Sequence, residues 1–272
     1  MSTICCAFSV FTLIVFNAME KHRPEPEVAT FLSWSAPGGQ GRRGNVARER
    51  LPRQAGFPYN ASLMVPSARM ILASESPRRR ELLAAVGVPF CVVPSGVDEI
   101  PRPGESPSGF VRRAALDKGE AVAVIHPSSF VLSADTIVVS EGRILGKPRD
   151  RAEARRMLSR LAGREHRVQT AICLLCRGRG YRDLGTEVSR VRFRPLTAAE
   201  IAAYARTGEC DDKAGAYAAQ GAGMLLIDRV AGSFSNVVGL PMTRVVAMLL
   251  RARLIRVTRS GPAWYAFAGQ AR

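Results

Sequence analysis

The sequence predicts an α/β domain over residues 70–255, and three observations carry that prediction. Short apolar segments of strand length alternate along this range with longer segments of helical character. Several helical segments open on Ser, Thr or Asp and end on Gly, the residue types preferred at helix ends. The chain has 272 residues and is 47% hydrophobic, as expected for a globular protein with a large core.

The first strand and helix have the clearest boundaries. Residues 70–73 are apolar and predict a short strand, after which Ser76 and Pro77 begin a helix that ends before Gly87. The further predicted elements are, in order, a strand over 88–93, a helix over 106–124, a strand over 130–139 followed by a turn at Glu141-Gly142, a helix over 151–162 capped by Asp150, a hairpin of strands over 166–176 and 185–194, a helix from Thr197 to Gly208, a strand over 224–230 and a helix over 241–254.

Both ends of the chain lie outside this domain. Residues 4–16 are almost wholly apolar, but they are fewer than the roughly 20 that span a bilayer, and the basic residues follow them, which argues against a signal peptide or anchor. The Pro-, Gly- and Arg-rich composition that follows predicts that residues 1–69 are a disordered extension. One hypothesis is that translation begins at Met64 or Met70. Residues 256–272 are expected to be a frayed tail.

The chain is strongly basic. It has 39 Lys and Arg against 23 Asp and Glu, a formal charge of +16, and 35 of the basic residues are arginines. These arginines are scattered, without aromatic interleaving or the spacing of known DNA-binding motifs, so specific nucleic-acid binding is not predicted. A basic protein that binds polyanions in general is one hypothesis for the function.

The cysteines show no disulfide framework, which fits a reducing compartment. Cys173 and Cys176 have the spacing of a metal motif, but they lie in an apolar run that predicts a buried strand. Residues three apart on a strand face opposite sides of the sheet, so a shared metal is disfavoured. The other four are Cys5, Cys6, Cys91 and Cys210.

The start of the first predicted helix is a candidate phosphate site. Ser74 and Ser76 precede the helix, and residues 78–80 are all arginine. Free backbone N–H groups and the positive end of the helix dipole favour an anion there. The alternative is an ordinary capped helix with a solvated basic turn.

Asp135 is the most unusual residue of the sequence, because it lies inside an otherwise apolar predicted strand. A buried carboxylate is costly unless it is paired, hydrogen-bonded or bound to a cation, and such a position suits Mg²⁺ or a reacting water. A structural ion pair is the alternative. Glu99, in the loop after the second strand, is a candidate second carboxylate, with a solvated turn as its alternative.

Three of the four lysines fall within the domain. Lys118 lies on a predicted helix, Lys147 in the turn Gly146-Lys-Pro148, and Lys213 in a glycine-containing loop. Compact ammonium groups suit the oxygens of a triphosphate, so each is a candidate phosphate ligand.

Two loops, 213–221 and 232–239, contain glycines that allow the backbone to approach a ligand closely. The amide of Gln220 has both a donor and an acceptor and can pair with the edge of a nucleobase. Plain connecting loops are the alternative.

Taken together, these motifs resemble those of the Maf-like nucleoside triphosphate pyrophosphatases. The resemblance covers about residues 70–250. It includes Leu72-Ala-Ser-Glu-Ser-Pro-Arg-Arg79, Ser133-Ala-Asp-Thr-Ile-Val138, Gly146-Lys-Pro148, His166-Arg-Val-Gln-Thr170, Asp212-Lys-Ala-Gly-Ala-Tyr217 and Gly232-Ser-Phe-Ser-Asn-Val-Val-Gly-Leu-Pro241.

The resemblance implies a two-lobed α/β fold of the Maf/ITPase type, with a mixed sheet and a nucleotide cleft between the lobes. It implies a divalent cation, Mg²⁺ or Mn²⁺, a cytoplasmic homodimer without membrane attachment, and a nucleoside triphosphate as substrate. By the same resemblance Asp135 is the proton acceptor and, with Glu99, holds the metal. The phosphates are then bound by Ser74, Arg78, Lys118 and Lys147, the two lysines being catalytic as well.

The loop that contains Gln220 resembles the branch of the family that acts on dTTP and UTP, and differs from the 7-methyl-GTP branch. Arg78, Thr136 and Gln220 are then the specificity positions. Asn236 departs from the smaller residue expected at its position and is predicted to alter the rim of the pocket.

The expected function is therefore hydrolysis of dTTP and UTP, and of modified pyrimidine nucleotides, to the monophosphate and pyrophosphate, which cleans the nucleotide pool. A 7-methyl-GTP pyrophosphatase is the alternative within the enzyme class. A nucleotide-binding regulator of cell division that does not hydrolyse its ligand is the alternative outside it.

Overall fold

The computed structural model describes residues 70–257 and 265–267. The predicted extension over 1–69, with Met64, lies outside these residues. In the described part the strands are β1 Met70–Ala73, β2 Cys91–Val92, β3 Phe130–Ser140, β4 Arg143–Leu145, β5 Glu165–Cys176, β6 Tyr181–Phe193, β7 Ile227–Ala231, β8 Ile255–Val257 and β9 Tyr265–Phe267. The α-helices are α1 Pro77–Ala84, α2 Pro107–Ile125, α3 Arg151–Leu161, α4 Ala198–Arg206, α5 Phe234–Val238 and α6 Met242–Arg251.

Local sequence determines where the helices begin. The Ser76 side chain accepts a hydrogen bond from the backbone of Arg79 at the start of α1, and Ser106 and Asp150 cap α2 and α3 in the same way. Thr197 and Glu200 form the predicted capping box of α4. These side chains satisfy N–H groups that the first helical turn leaves unpaired, which is why the predicted starts are confirmed.

Seven strands form one mixed sheet in the order β2-β1-β3-β5-β6-β7, with β4 on the same edge of β3 as β1. Strand β1 pairs in parallel with β2 and β3, whereas β3, β5, β6 and β7 pair in antiparallel fashion. The predicted hairpin is β5 and β6. The mixed α/β architecture is confirmed.

The helices cover the sheet unevenly, which produces two lobes. Helix α2 packs along one face of the sheet. On the opposite face α1 and α6 cover the end of the sheet that contains β1, and α3 and α4 cover the other end. The two-lobed arrangement is confirmed, and the space between the lobes lies over the middle of β3.

Several predicted boundaries differ from those in the structure. The second strand is only Cys91–Val92, because Pro89 has no N–H group to donate to a neighbouring strand. By contrast, the strand predicted over 130–139 is confirmed as β3, which runs through Asp135. Strand β7 begins at Ile227, after a 3₁₀ turn over Gly221–Leu226, and the strands β4, β8 and β9 and the short helix α5 were not predicted.

The segment expected to be a frayed tail contains paired structure. Strands β8 and β9 form a two-stranded antiparallel sheet, and Tyr265 and Phe267 pack against the core beneath α1 and α6. Within the described part of the chain, no helix combines the length and apolar character needed to cross a bilayer.

Candidate active site

The site lies where one edge of β3 is left without a neighbouring strand. Strand β1 pairs with residues 130–133 of β3, and β4 pairs with residues 138–140. Residues 134–137 therefore have no strand partner on this edge, and Asp135 and Thr136 lie within the gap. An unpaired stretch of backbone in the middle of a sheet needs other partners, and it gives a ligand access to the strand.

A cavity of about 850 Å³ opens at this gap between the lobes. Such a volume is in the range of sites that bind small molecules and cofactors. The residues predicted to act in catalysis, in metal or phosphate binding or in substrate specificity all line this cavity: Ser74, Arg78, Glu99, Lys118, Asp135, Thr136, Lys147, Lys213 and Gln220.

Asp135 and Lys118 form a buried ion pair in the cavity wall. Lys118 Nζ donates to Asp135 Oδ1 at 2.7 Å, and the side chains are 7% and 3% exposed. Lys118 also pairs with Glu99, so one ammonium joins two carboxylates. Asp135 Oδ2 is buried and has no hydrogen-bond partner among the described residues. This oxygen therefore has an unused acceptor position.

Glu99 is charged at neutral pH because of its cationic neighbours. Burial raises the pKa of its carboxyl, but the charge and hydrogen bond of Lys118, together with the charges of Lys147 and Arg79, outweigh burial and lower the pKa overall. The predicted second carboxylate is therefore in place as an anion.

Arg79 is the main residue of the site that sequence reasoning missed. Its guanidinium donates to the backbone oxygens of Ala134 and Gly239, both at 2.8 Å, to Thr136 Oγ1 at 3.0 Å and to Ser74 Oγ at 3.3 Å. Arg79 thus satisfies the unpaired edge of β3 and ties it to α1 and to the loop before α6. Burial lowers the pKa of this guanidinium, although Asp135 and Glu99 raise it.

The signal for Arg79 was present but ambiguous. The sequence has three consecutive arginines, and their partners are separated from them by up to 160 residues. The N-cap at Ser76 places Arg79 in the first helical turn, but the spacing alone does not say which of the three points back to the sheet.

Ser74 retains a hydrogen to donate into the cavity. Its Oγ accepts from the backbone N–H of Ser76 and from Arg79, both at 3.3 Å, so the O–H hydrogen of Ser74 is available for a ligand. The Thr136 hydroxyl differs, since its Oγ1 contacts Arg79 and Thr170 Oγ1, each at 3.0 Å, and Gly239 O at 3.4 Å. Thr136 is therefore tied to protein groups.

Two cations in the cavity wall lack an anionic contact. Arg78 and Lys147 make no side-chain hydrogen bond or ion pair with another described residue. In contrast, Lys213 pairs with Asp212. Burial raises the pKa of the Asp212 carboxyl, but the hydrogen bond and the charge of Lys213 outweigh burial, so the pKa is lowered overall. Arg78 and Lys147 are thus the cations most available to phosphate oxygens.

Gln220 lines the same cavity and is half-buried. Its amide has no side-chain hydrogen bond to another described residue, so both its donor and its acceptor remain available. Asn236 corrects an expectation. It is fully buried and lies behind the cavity wall, where its amide donates to Val168 O and Ser189 Oγ. Asn236 therefore does not form the pocket rim.

The donor set suits a magnesium-type ion bound with its substrate. Among the described residues no three His, Cys, Asp or Glu side chains cluster as a metal site. Mg²⁺ needs fewer, because it commonly binds one or two carboxylates together with phosphates and waters. The carboxylates of Asp135 and the charged Glu99, which both contact Lys118, meet that requirement. Cys173 and Cys176 belong to cores on opposite faces of the sheet, as predicted.

Comparison with known proteins agrees with this geometry. Residues 69–252, more than half of the chain, match the family model described as Maf-like protein. The chain belongs to the Maf-like family. The matched range begins just before β1 and ends just after α6, so it contains all the cavity residues described above.

Curated relatives align over almost their whole length. A dTTP/UTP pyrophosphatase of Desulfotalea psychrophila is 46% identical over 69% of this chain and 96% of the relative. The dTTP/UTP pyrophosphatase of Symbiobacterium thermophilum is 51% identical over 66% of this chain and 92% of the relative. That of Myxococcus xanthus is 49% identical over 68% of this chain and 93% of the relative. The solved structure of the Staphylococcus aureus Ham1 protein matches 46% of this chain and 71% of the Ham1 chain, at 14% identity and a TM-score of 0.34. This similarity is too low to support an argument.

Proposed function

We propose that this Maf-like protein is a nucleoside triphosphate pyrophosphatase that hydrolyses dTTP and UTP to the monophosphate and pyrophosphate. The observation that carries the proposal is the buried Lys118–Asp135 pair in the wall of the cavity, with Asp135 Oδ2 free to accept a proton. The curated relatives named dTTP/UTP pyrophosphatase support the substrate. A role in cleaning the nucleotide pool follows from this activity.

Asp135 is the general base of the proposed reaction. A water attacks the α-phosphorus, the new P–O bond forms as the bond to the β-phosphate oxygen breaks, and pyrophosphate leaves with the electron pair. The proton of the water passes to Asp135 Oδ2. Lys118 holds the other carboxylate oxygen, which fixes the orientation of the base.

The phosphates lie against the start of α1 in this proposal. Ser74 donates its hydroxyl hydrogen, and Arg78 and Lys147 supply cations that have no anionic contact in the protein. Lys118 stabilises the negative charge that develops as the leaving group departs. The site thereby supplies donors to the phosphates and a carboxylate base on the same wall.

The cofactor in this proposal is a divalent cation, Mg²⁺ or Mn²⁺, held by Asp135 and Glu99. When bound, the cation neutralises charge on the phosphate oxygens. Gln220 forms hydrogen bonds with the nucleobase through its amide, while Thr136 contributes to specificity by positioning Arg79. A cytoplasmic homodimer stays the expected assembly.

The arrangement favours an enzyme over the competing functions. A binding module has no need for an unpartnered carboxylate oxygen beside the phosphate donors, and a general polyanion binder has no need for a buried base. Within the enzyme class, the curated relatives named dTTP/UTP pyrophosphatase favour a pyrimidine nucleotide over the 7-methyl-GTP alternative.

Pyrophosphate release from a panel of nucleotides tests the proposal. Purified protein is assayed with Mg²⁺ or Mn²⁺ against dTTP, UTP, CTP, GTP, 7-methyl-GTP and 5-methyl-UTP. We expect dTTP and UTP to be preferred. Preference for 7-methyl-GTP would retain the chemistry and overturn the substrate, and no release from any nucleotide would overturn the enzyme.

A further inference from the structure

The backbone around Gln220 is held by two side chains that do not line the cavity. We define residues 218–223 as the Gln220 loop. Tyr204, on α4, accepts a hydrogen bond from the backbone N–H of Ala218 at 3.0 Å. The Glu209 carboxylate accepts from the N–H groups of Ala222 and Gly223 at 2.9 and 3.1 Å. Three N–H groups that flank Gln220 thus depend on Tyr204 and Glu209.

The packing of the loop depends on the same two side chains. Gly221 has a φ of +67°, and a Cβ atom there would lie 2.5 Å from Glu209 Oε1. A Cβ atom on Gly223 would lie 2.1 Å from the Ala218 carbonyl oxygen and 2.8 Å from the Tyr204 hydroxyl. Because the loop closes so tightly on these groups, its shape leaves little freedom to the backbone of Gln220.

The loop connects these side chains to the ligand space. Ala218, Ala219 and Gln220 line the cavity, whereas Tyr204 is 6% exposed within the core of the second lobe. Burial raises the pKa of the Tyr204 hydroxyl, and the charge of Glu209 beside it raises it further, so this hydroxyl stays protonated. Because neither Tyr204 nor Glu209 lines the cavity, these side chains can influence a ligand only through the loop.

We infer that Glu209 and Tyr204 are positioning residues that set nucleobase selectivity by fixing the backbone of Gln220. This inference rests on the proposed function. Uracil and thymine present an N–H group beside carbonyl oxygens, which an amide can match with its acceptor and donor. Such a pair of hydrogen bonds requires the amide to be held within about 0.5 Å of the productive geometry. The side chain of Gln220 is long, so that precision must come from its backbone.

Two variants remove the support without changing the cavity wall. Glu209→Gln keeps the size of the side chain but replaces one carboxylate oxygen by an NH₂ group, which cannot accept from the loop. Tyr204→Phe removes only the hydroxyl that receives the Ala218 N–H. Glu200→Gln, on the same helix as Tyr204, and Tyr181→Phe, in the other lobe, are the controls, since they lose a carboxylate and a hydroxyl away from the loop.

The test compares thymine and cytosine nucleotides in binding and in turnover. Dissociation constants for the α,β-methylene analogues of dTTP and dCTP are measured by calorimetry, and kcat and KM are measured for dTTP and dCTP. We expect both variants to weaken binding of the dTTP analogue about tenfold, the equivalent of one hydrogen bond to a charged group, with a smaller effect on the dCTP analogue. KM for dTTP should rise while kcat stays close to that of the wild type.

The outcomes separate the inference from the proposed function. If the variants lose thermal stability as the Glu200→Gln control does but keep the wild-type ratio of dTTP to dCTP affinity, the residues are merely structural and the inference is overturned. A wild type that binds both analogues equally also overturns it. A wild type that prefers the dTTP analogue, loses this preference in the variants and hydrolyses neither nucleotide supports the inference and overturns the proposed function.

Discussion

Lys118 Nζ lies 2.7 Å from Asp135 Oδ1, and both side chains are more than nine-tenths buried. Helix α2 brings the ammonium to the one stretch of β3 that has no strand on its open edge. The same carboxylate keeps Oδ2 without a partner among the described residues. One oxygen is thus held in place while the other is available for chemistry.

Removing either member of this pair should destabilise the protein, and removing both should cost less than the sum. Lys118→Met leaves Asp135 buried without its cation, which costs about 3 kcal/mol in the free energy of unfolding. In the double variant Lys118→Met/Asp135→Asn this cost is partly recovered. Urea unfolding of the four proteins measures the coupling. Strictly additive effects would show that the pair does not stabilise the fold.

Arg79 should matter far more than its neighbour Arg80. Replacing Arg79 by Met removes a donor from the Ala134 carbonyl oxygen and leaves the Gly239 carbonyl with only the 3.4 Å contact of Thr136 Oγ1; a buried acceptor left unpaired costs about 1–3 kcal/mol. It also frees Thr136 and Ser74, so kcat/KM should fall. Arg80→Met is the control, because Arg80 is exposed and does not line the cavity. Urea unfolding and pyrophosphate release measure the two effects, and equal effects of both variants would contradict the role of Arg79.

The close packing of α2 on β3 predicts an unusual response at Gly119. Ala in the middle of a helix is normally more stable than Gly by about 1 kcal/mol. Here a Cβ atom would lie 2.7 Å from Ser133 Oγ and 3.0 Å from Leu175 Cδ2, so Gly119→Ala should destabilise the protein. Adding Ser133→Ala should restore part of the loss. A stabilised Gly119→Ala protein, measured by thermal unfolding, would show that α2 can move away from the sheet.

His166 should make the stability of the protein fall at acid pH. Its ring is 2% exposed, Nε2 lies 2.8 Å from the Tyr217 hydroxyl, and burial lowers the pKa of the imidazole to about 4. The imidazole of the unfolded chain binds a proton near pH 6.5. Above that pH, the buried neutral ring therefore makes its whole contribution to the free energy of unfolding. This contribution is lost as the pH falls from about 6.5 to 4, by about 3 kcal/mol.

Urea unfolding across this pH range measures the effect of His166. His166→Gln is the comparison, because an amide can contact the Tyr217 hydroxyl but does not titrate. The difference in the free energy of unfolding between wild type and variant should shrink steadily on the acid side. A constant difference would mean that His166 does not titrate as its burial implies.

Local features of the sequence predicted most of the fold and the centre of the site. Caps such as Ser76 and Asp150 act within four residues, so their helices could be placed from sequence alone. Asp135 stood out because a carboxylate in an apolar strand needs a partner, and the partner is a lysine that the sequence analysis had singled out for a different reason.

Features that depend on distant partners could not be predicted. The role of Arg79 requires the oxygens of Ala134 and Gly239, which only the folded chain brings together. Likewise, the hold of Glu209 on the loop depends on N–H groups 13 and 14 residues away. The burial of Asn236 depends on β5 and β6, which accept its hydrogen bonds. The spacing of residues along the sequence does not indicate such contacts.

Pyrophosphate release from dTTP by the Asp135→Asn protein tests the central claim most directly. The carboxamide retains the shape of the side chain but cannot take the proton of the attacking water, so turnover should fall by about 10² to 10⁴. Calorimetry with the α,β-methylene analogue of dTTP checks that the nucleotide still binds, and circular dichroism checks that the variant is folded. A folded, nucleotide-binding Asp135→Asn protein with near wild-type turnover would contradict the assignment of Asp135 as the base.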